Sequence, residues 1–385
     1  NEAVNQLADA YLERKQEELG ERIPADDYRH ERQKVKYYLA TNNAYGADLN
    51  PTAVELAKVS LWLNIIYDGA KVPWFGPRLA VGNSLIGARR QVYTAEEVLS
   101  GEYKKKAPEP VQLGYGDENF APRPAGTVYH WLLPDEGMAA FDKDKVIKEL
   151  ASTEVQTIKD WRKEFTRKIT KAELKNLQAL SDQADSLWSA HLQERQMILA
   201  RTREEIGLWG QPKPKENKQP LSIDGKEKEL AYLERPTSPY RHLKLAMDYW
   251  CALWFWPIAE AENLPSRQVF WNELNEIFKG VESDFIKPPE QIKMWGNGTA
   301  TQVSMSGLTK PGIQDLISAF PRLGIVEKVS SQITFKHWGL VFIEAFEKSG
   351  GFDLILGNPP WIKLKWNCQA PKFHTTSKWT LRHVG

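Results

Sequence analysis

Cysteine is almost missing from this chain of 385 residues, occurring only as Cys251 and Cys368. Two cysteines build neither a disulfide framework nor the usual ligand spacing of a zinc site. This scarcity implies a reducing compartment, so the expected location is the cytoplasm. Long apolar runs are missing too. The longest, from Tyr249 to Ile258, falls far short of the roughly 20 residues that span a bilayer, which excludes a membrane-crossing helix. Nor is there an excess of one charge. With 51 Lys and Arg against 50 Asp and Glu, the formal net charge is +1, so any affinity for nucleic acid has to come from local patches.

Tryptophan, by contrast, is abundant, at 15 residues. A hydrophobic content of 42% with 26% charged residues suits a packed core rather than general disorder. The length exceeds that of one ordinary domain and predicts a core carrying an insertion. The chain opens at Asn1 with neither a methionine nor the apolar segment of a signal peptide, and reads as part of a longer polypeptide.

Val4, Leu7, Ala8 and Tyr11 have helical spacing, and Pro24 separates this stretch from a second helix around residues 28–39. Residues 44–49 suit a buried strand. Asn50 and Pro51 then start an apolar helix through Val54, Leu56, Ala57, Leu61, Trp62 and Ile65, because Asn caps well and proline suits the first helical position. Residues 78–85 give a second short strand, completing a strand–helix–strand unit of an α/β sheet. Residues 88–134, broken by Pro108, Pro110, Pro122 and Pro124, read as an irregular surface loop. Residues 142–209 contain no proline and predict long helices, residues 211–228 a flexible linker, and residues 242–256 and 271–278 two more helices. Phe352 to Leu356, flanked by Gly350-Gly351 and Gly357, reads as a buried strand.

The sharpest chemical signal is Asn358-Pro359-Pro360-Trp361, directly after that last strand. Ligands of open α/β sheets bind beyond the carboxyl ends of the strands. Two prolines remove two N–H donors and leave a rigid turn of acceptors: backbone carbonyls and the Asn side-chain oxygen. Such a pocket suits the exocyclic amine of a planar base. Acceptors gripping its hydrogens localise the nitrogen lone pair and stabilise the charge that develops during alkylation. Trp361 supplies a stacking face, worth roughly 1 to 3 kcal/mol per base, which offsets much of the cost of extruding the base. Asp48 closes the first strand, where a carboxylate can accept from ribose hydroxyls, and Asn83 follows the second, where it could read an adenine edge. Taken singly, Asp48 reads as a capping group and Asn83 as a turn former.

In combination these segments resemble the amino-group DNA methyltransferases that act on adenine N6, with the cofactor half preceding the catalytic half. Gly46-Ala47-Asp48-Leu49-Asn50-Pro51 and the helix after it look like the second motif of the large bacterial members. Gly82-Asn83-Ser84-Leu85 looks like the third motif, and Gly357-Asn358-Pro359-Pro360-Trp361 like the fourth, catalytic one. Val128 to Pro134 is similar to a segment of very large restriction and phage-defence methyltransferases.

The resemblance implies an α/β fold, a partial Rossmann-like methyltransferase sheet with a large, mainly α-helical insertion. It implies a bacterial cytoplasmic enzyme that moves a methyl group from S-adenosylmethionine to a flipped adenine in double-stranded DNA, with other defence-system subunits as further partners. By carry-over, Asn358 and the Pro359 carbonyl accept from N6, within a turn that Pro360 completes, and Trp361 stacks on the base. Asp48 holds the cofactor ribose, Leu49 beside it belongs to the same cofactor site, and Asn83 and Ser84 line the cofactor's adenine.

On this division, residues 1–140 form the cofactor-side half with its irregular loop and residues 141–335 the helical insertion. Residues 336–366 hold the catalytic strand and turn, and residues 367–385 a basic tail. The family's first motif, a glycine-rich turn after the first strand, has no counterpart here. The only G-x-G strings, Gly114-Tyr115-Gly116 and Gly296-Asn297-Gly298, do not join a strand to a helix. The chain alone is therefore expected to be inactive and to bind the cofactor weakly.

Lys363, Lys365, Lys372, Lys378 and Arg382 lie among Trp366, Phe373 and Trp379 with no acidic residue after Trp361. This suits either a phosphate-contacting surface or a disordered terminus. Two alternatives to the DNA enzyme stand: methylation of an RNA amine or a protein glutamine by the same turn, and a helical protein-interaction module in residues 142–330.

Overall fold

The structure, a computed structural model, describes residues 1–111, 122–141, 145–212, 221–280 and 312–357. Along the chain run α1 (Glu2–Leu19), α2 (Ala25–Asn42), β1 (Gly46–Asp48), α3 (Pro51–Ile65), β2 (Leu79–Val81), β3 (Gln91–Tyr93), α4 (Ala95–Ser100), β4 (Glu109–Pro110) and β5 (Val128–Tyr129). There follow α5 (Lys145–Leu150), α6 (Ser152–Phe165), α7 (Lys171–Thr202), α8 (Ile223–Ala231), α9 (Pro239–Ala252) and α10 (Arg267–Lys279). The last elements are α11 (Ile313–Ala319), α12 (Pro321–Ile333), α13 (Trp338–Val341) and α14 (Ile343–Ser349). The described residues are mainly helical, with two small sheets: β1–β2, and β4–β3–β5. No helix among them is long and apolar enough to cross a membrane.

The chain falls into two compact units. One comprises residues 1–85 with 196–233, the other residues 86–195 with 234–385. The compact division thus comes at Leu85/Ile86 and not near residue 140, and α7 contributes its last turns to the first unit.

In the first unit, α1 and α2 pack as an antiparallel pair. Gly20 ends α1 in the left-handed conformation at φ 68°, which glycine adopts without steric cost, and Pro24 precedes α2. The pair closes over Ala8, Leu12, Ile23, Val35 and Leu208. Arg32 forks onto Asp9, with Nη2 2.7 Å from Oδ2, and this hydrogen-bonded guanidinium holds the Asp9 carboxyl below its usual range. Tyr37, Ala40, Ile65 and Phe75 form a second small cluster under α3.

The second unit has the larger core, built on α7, α9, α10 and α12, with Trp131, Trp188, Trp256 and Trp271 fully buried. The tryptophans do more than fill volume. Trp250 and Trp271 donate their indole N–H groups to the carbonyls of Leu133 and Leu132, each at 2.9 Å. Trp161 and Trp256 do the same to Pro265 (2.6 Å) and Glu260 (2.8 Å). Irregular backbone is thereby buried with its acceptors satisfied, where each orphan would cost about 1 to 3 kcal/mol.

These bonds correct the reading of residues 88–134 as a surface loop. Ala88, Val92, Tyr93, Val98, Tyr103, Val128, Tyr129, Trp131 and Leu132 are all core residues. β3 is buried along its whole length and pairs antiparallel with both β4 and β5. The prolines bound short strands instead of abolishing them, and the apolar residues between them decide the burial.

Residues 211–228 are not a linker throughout. α8 begins at Ile223, capped by Ser222, whose Oγ accepts from the Gly225 N–H at 3.1 Å. Residues 352–356 form no strand. Phe352 anchors on the rings of Trp338, Phe342 and Phe346, with centroids 5.6 to 6.2 Å away, but Leu354 and Leu356 are 60% and 74% exposed. A strand draws its stability from a neighbour's hydrogen bonds, and this segment pairs with no strand among the described residues.

Candidate ligand edge of the β1–β2 pair

β1 and β2 pair in parallel, with Gly46 opposite Leu79, Ala47 opposite Ala80 and Asp48 opposite Val81, and α3 crosses between them. Gly46 sits where a side chain would crowd its neighbour: a β-carbon there would lie 2.9 Å from Leu79 Cδ2. The pairing continues at both ends, through the Gly46 N–H to the Arg78 carbonyl at 3.0 Å and the Gly82 N–H to the Asp48 carbonyl at 2.9 Å. Asp48 and the Gly82-Asn83-Ser84 turn therefore leave the sheet at one carboxyl edge, where parallel strands place their ligands.

Local side-chain chemistry shapes that edge. Asp48 Oδ1 accepts from the Asn50 N–H at 2.8 Å, and Asn50 Oδ1 accepts from the Thr52 N–H at 2.9 Å, which caps α3 one residue before Pro51. Asn83 Oδ1 accepts from the Leu85 N–H at 3.1 Å. Asp48 thus closes a turn ahead of the Asn50 cap instead of capping α3 itself, Asn83 closes its own turn, and each uses only one polar atom of its side chain. Among the described residues, Asp48 Oδ2 and Asn83 Nδ2 have no partner, leaving one anionic acceptor and one amide donor at the same edge. Leu49 and Leu85, 57% and 65% exposed, supply apolar surface beside them. An acceptor for hydroxyls, a donor for a ring nitrogen and an apolar face are what a nucleoside requires.

The structure thus brings together Asp48, Leu49, Asn83 and Ser84. Asn358, Pro359, Pro360 and Trp361 lie outside the described residues, as do both G-x-G strings, Cys368 and the basic tail.

A second polar constellation, Cys251, His337 and Asp248, is not visible in the sequence because its members are 89 residues apart at the widest and share no motif. It is not a nucleophilic site. His337 Nδ1 accepts the Ala88 N–H at 2.9 Å and Nε2 faces Asp248 Oδ1 at 2.9 Å, so no ring lone pair is left to take a proton from a thiol. Burial pushes the His337 imidazole down and the Cys251 thiol well up. Burial alone would raise the Asp248 carboxyl, but Lys244 at 2.6 Å and His337 outweigh it and hold the group below its usual range. With Ser330 donating to Asp248 at 2.8 Å, the cluster ties residue 88 and α12 to α9. Among the described residues no group of His, Cys, Asp or Glu could hold a metal ion.

The chain matches no family model, no curated protein and no solved structure.

Proposed function

We propose that the protein belongs to adenine-N6 DNA methylation, with S-adenosylmethionine as methyl donor. The observation that supports this best is the β1–α3–β2 edge, where a free carboxylate oxygen of Asp48 stands at the strand end before a capped helix and Asn83 follows the adjacent parallel strand. The sequence after residue 357 supplies the other half of the reading. S-adenosylmethionine provides an electrophilic methyl carbon on a sulfonium. When bound, it would supply that carbon to the adenine amine, the new N–C bond forming as the C–S bond breaks with the electron pair left on sulfur. Asn358 and the Pro359 carbonyl accept from the amine hydrogens, and one of those protons is released once the nitrogen is alkylated. Asp48 would accept from the ribose hydroxyls, and Asn83 Nδ2 would donate to the adenine ring.

Since the sequence carries no glycine-rich turn beside this edge, binding that rests on Asp48 and Asn83 is weak. Saturation-transfer NMR of the chain with S-adenosylmethionine tests the site: ribose protons should receive saturation, and Asp48→Ala should abolish it. Transfer that survives Asp48→Ala unchanged would refute the assigned edge. In a protein active on adenine-containing duplex DNA, Asn358→Ala should lower the methylation rate by roughly 100- to 1000-fold while leaving cofactor binding intact. A near wild-type rate would remove Asn358 from the chemistry.

A further inference from the structure

The first unit carries a cleft that has no part in the β1–β2 edge. It holds about 140 Å³ and is lined by Lys58, Val59 and Trp62 of α3, by the loop from Pro73 to Gly76, and by Glu227 of α8.

Its walls are held in place before any ligand arrives. Trp74 donates its indole N–H to Glu227 Oε1 at 2.5 Å, and the buried Lys226 ammonium stands 5.9 Å over the Trp74 ring while pairing with Glu204. Gly76 lets the indole lie against the backbone, since a β-carbon there would be 2.8 Å from the ring. Two prolines, Pro73 and Pro77, restrict the loop. Trp62 and Val59, by contrast, are 38% and 49% exposed.

The unspent polar groups define what fits. Lys58 is already paired with Glu55 at 2.7 Å, so it offers little to an anion. Among the described residues, Glu227 Oε2 and the Trp62 indole N–H have no partner, which leaves one donor, one anionic acceptor and aromatic walls. A polyproline helix is complementary to this set. It presents flat apolar rings and carbonyls without internal hydrogen bonds, and its prolines bring no N–H that would need an acceptor. Aromatic-lined grooves take such segments because little conformational entropy is left to lose.

We propose that this cleft docks a proline-rich segment of a partner protein, with rings between Trp62 and Trp74, a carbonyl on the Trp62 N–H, and a flanking lysine or arginine on Glu227. The inference is independent of the methylation reading.

Calorimetric titration of the whole chain with acetylated octaproline carrying a C-terminal lysine tests it. Sub-millimolar binding is expected, weakened at least tenfold in Trp62→Ala, with circular dichroism unchanged to show that the variant is folded. Glu227→Gln should weaken the lysine-bearing peptide while leaving octaproline alone unaffected. A Gly–Ser peptide ending in lysine should not bind. No binding at millimolar peptide, equal binding of the Gly–Ser peptide, or insensitivity to Trp62→Ala would each overturn the proposal. So would a finding that the chain self-associates through Trp62, because a second copy would then own the face.

Discussion

Buried histidines set how this protein responds to acid. His191 donates Nε2–H to the Leu340 carbonyl at 2.9 Å within the core, and burial pushes its pKa down to about 4. His130, at the Arg89 backbone, is pushed down to about 3 by the same cause. Both folded values lie below the unfolded value near 6.5. The unfolded chain therefore takes up protons first, and stability present above pH 6.5 is lost as the pH falls toward 4 and then 3. For His191 the loss between pH 7 and 4.5 is on the order of 2 to 3 kcal/mol. Urea unfolding at those two pH values should show His191→Gln losing less stability than the parent over the interval, although it starts lower. An unchanged difference would mean that His191 is not the titrating group.

A residue with no side chain matters as much. A β-carbon on Gly87 would lie 2.0 Å from the Lys336 carbonyl oxygen, beside the bond from the Lys336 N–H to the Ile86 carbonyl at 2.8 Å. Backbone cannot yield as a flexible side chain can, so Gly87→Ala should cost about 3 kcal/mol or more and lower the melting temperature by several degrees.

At the scale of elements, α3 shows how local signals and burial part company. Its cap is built as the sequence implies, and Asn50→Ala should cost about 1 kcal/mol, with Asn50→Asp restoring most of it in chemical denaturation. Its apolar residues do not all face inward, however: Val54 and Ile65 are buried, while Leu56 and Leu63 are exposed. A hydrophobic composition says that a helix can be buried, and only the packing says which side is. The sheet strands β3 and β5, with the turn from His130 to Leu133, are the converse. Short strands and irregular turns become core because indole N–H groups from α9 and α10 reach their carbonyls. Trp271→Phe keeps most of the buried ring but orphans the Leu132 carbonyl, and should cost about 1 to 3 kcal/mol.

For the whole molecule, the two units have unequal cores. The second holds one large contiguous cluster with four fully buried tryptophans, whereas the first rests on two clusters of five and four buried residues. Local opening follows buried apolar contact, so amide hydrogen exchange in α1, α2 and α3 should be faster than in α9 and α10. Equal protection throughout would show that the first unit draws stability from contacts other than its own core.

Sequence alone determined α1 to α3, the helical character of the stretch that holds α5 to α7, the helices α9 and α10, the break at Pro24, the Asn50-Pro51 start of α3, and the placing of Asp48 and Asn83 at the ends of two strands, but not α4, α8 or α11 to α14. Each rests on periodicity, capping or turn chemistry within a few residues, where chain connectivity already holds the interacting groups together. The parallel register that puts Asp48 and Asn83 on one edge, and the partners left over for a ligand, came only from the tertiary structure. So did the burial of Ala88, Val92, Tyr93, Val98, Tyr103 and residues 128–133, the Cys251–Asp248–His337 cluster and the Trp62–Trp74 cleft. These depend on groups distant in the chain, and no local pattern specifies which backbone carbonyl an indole finds or which strand lacks a neighbour. Residues 352–356 make the point most simply: their composition suits a strand, but a strand exists only where another backbone answers its hydrogen bonds.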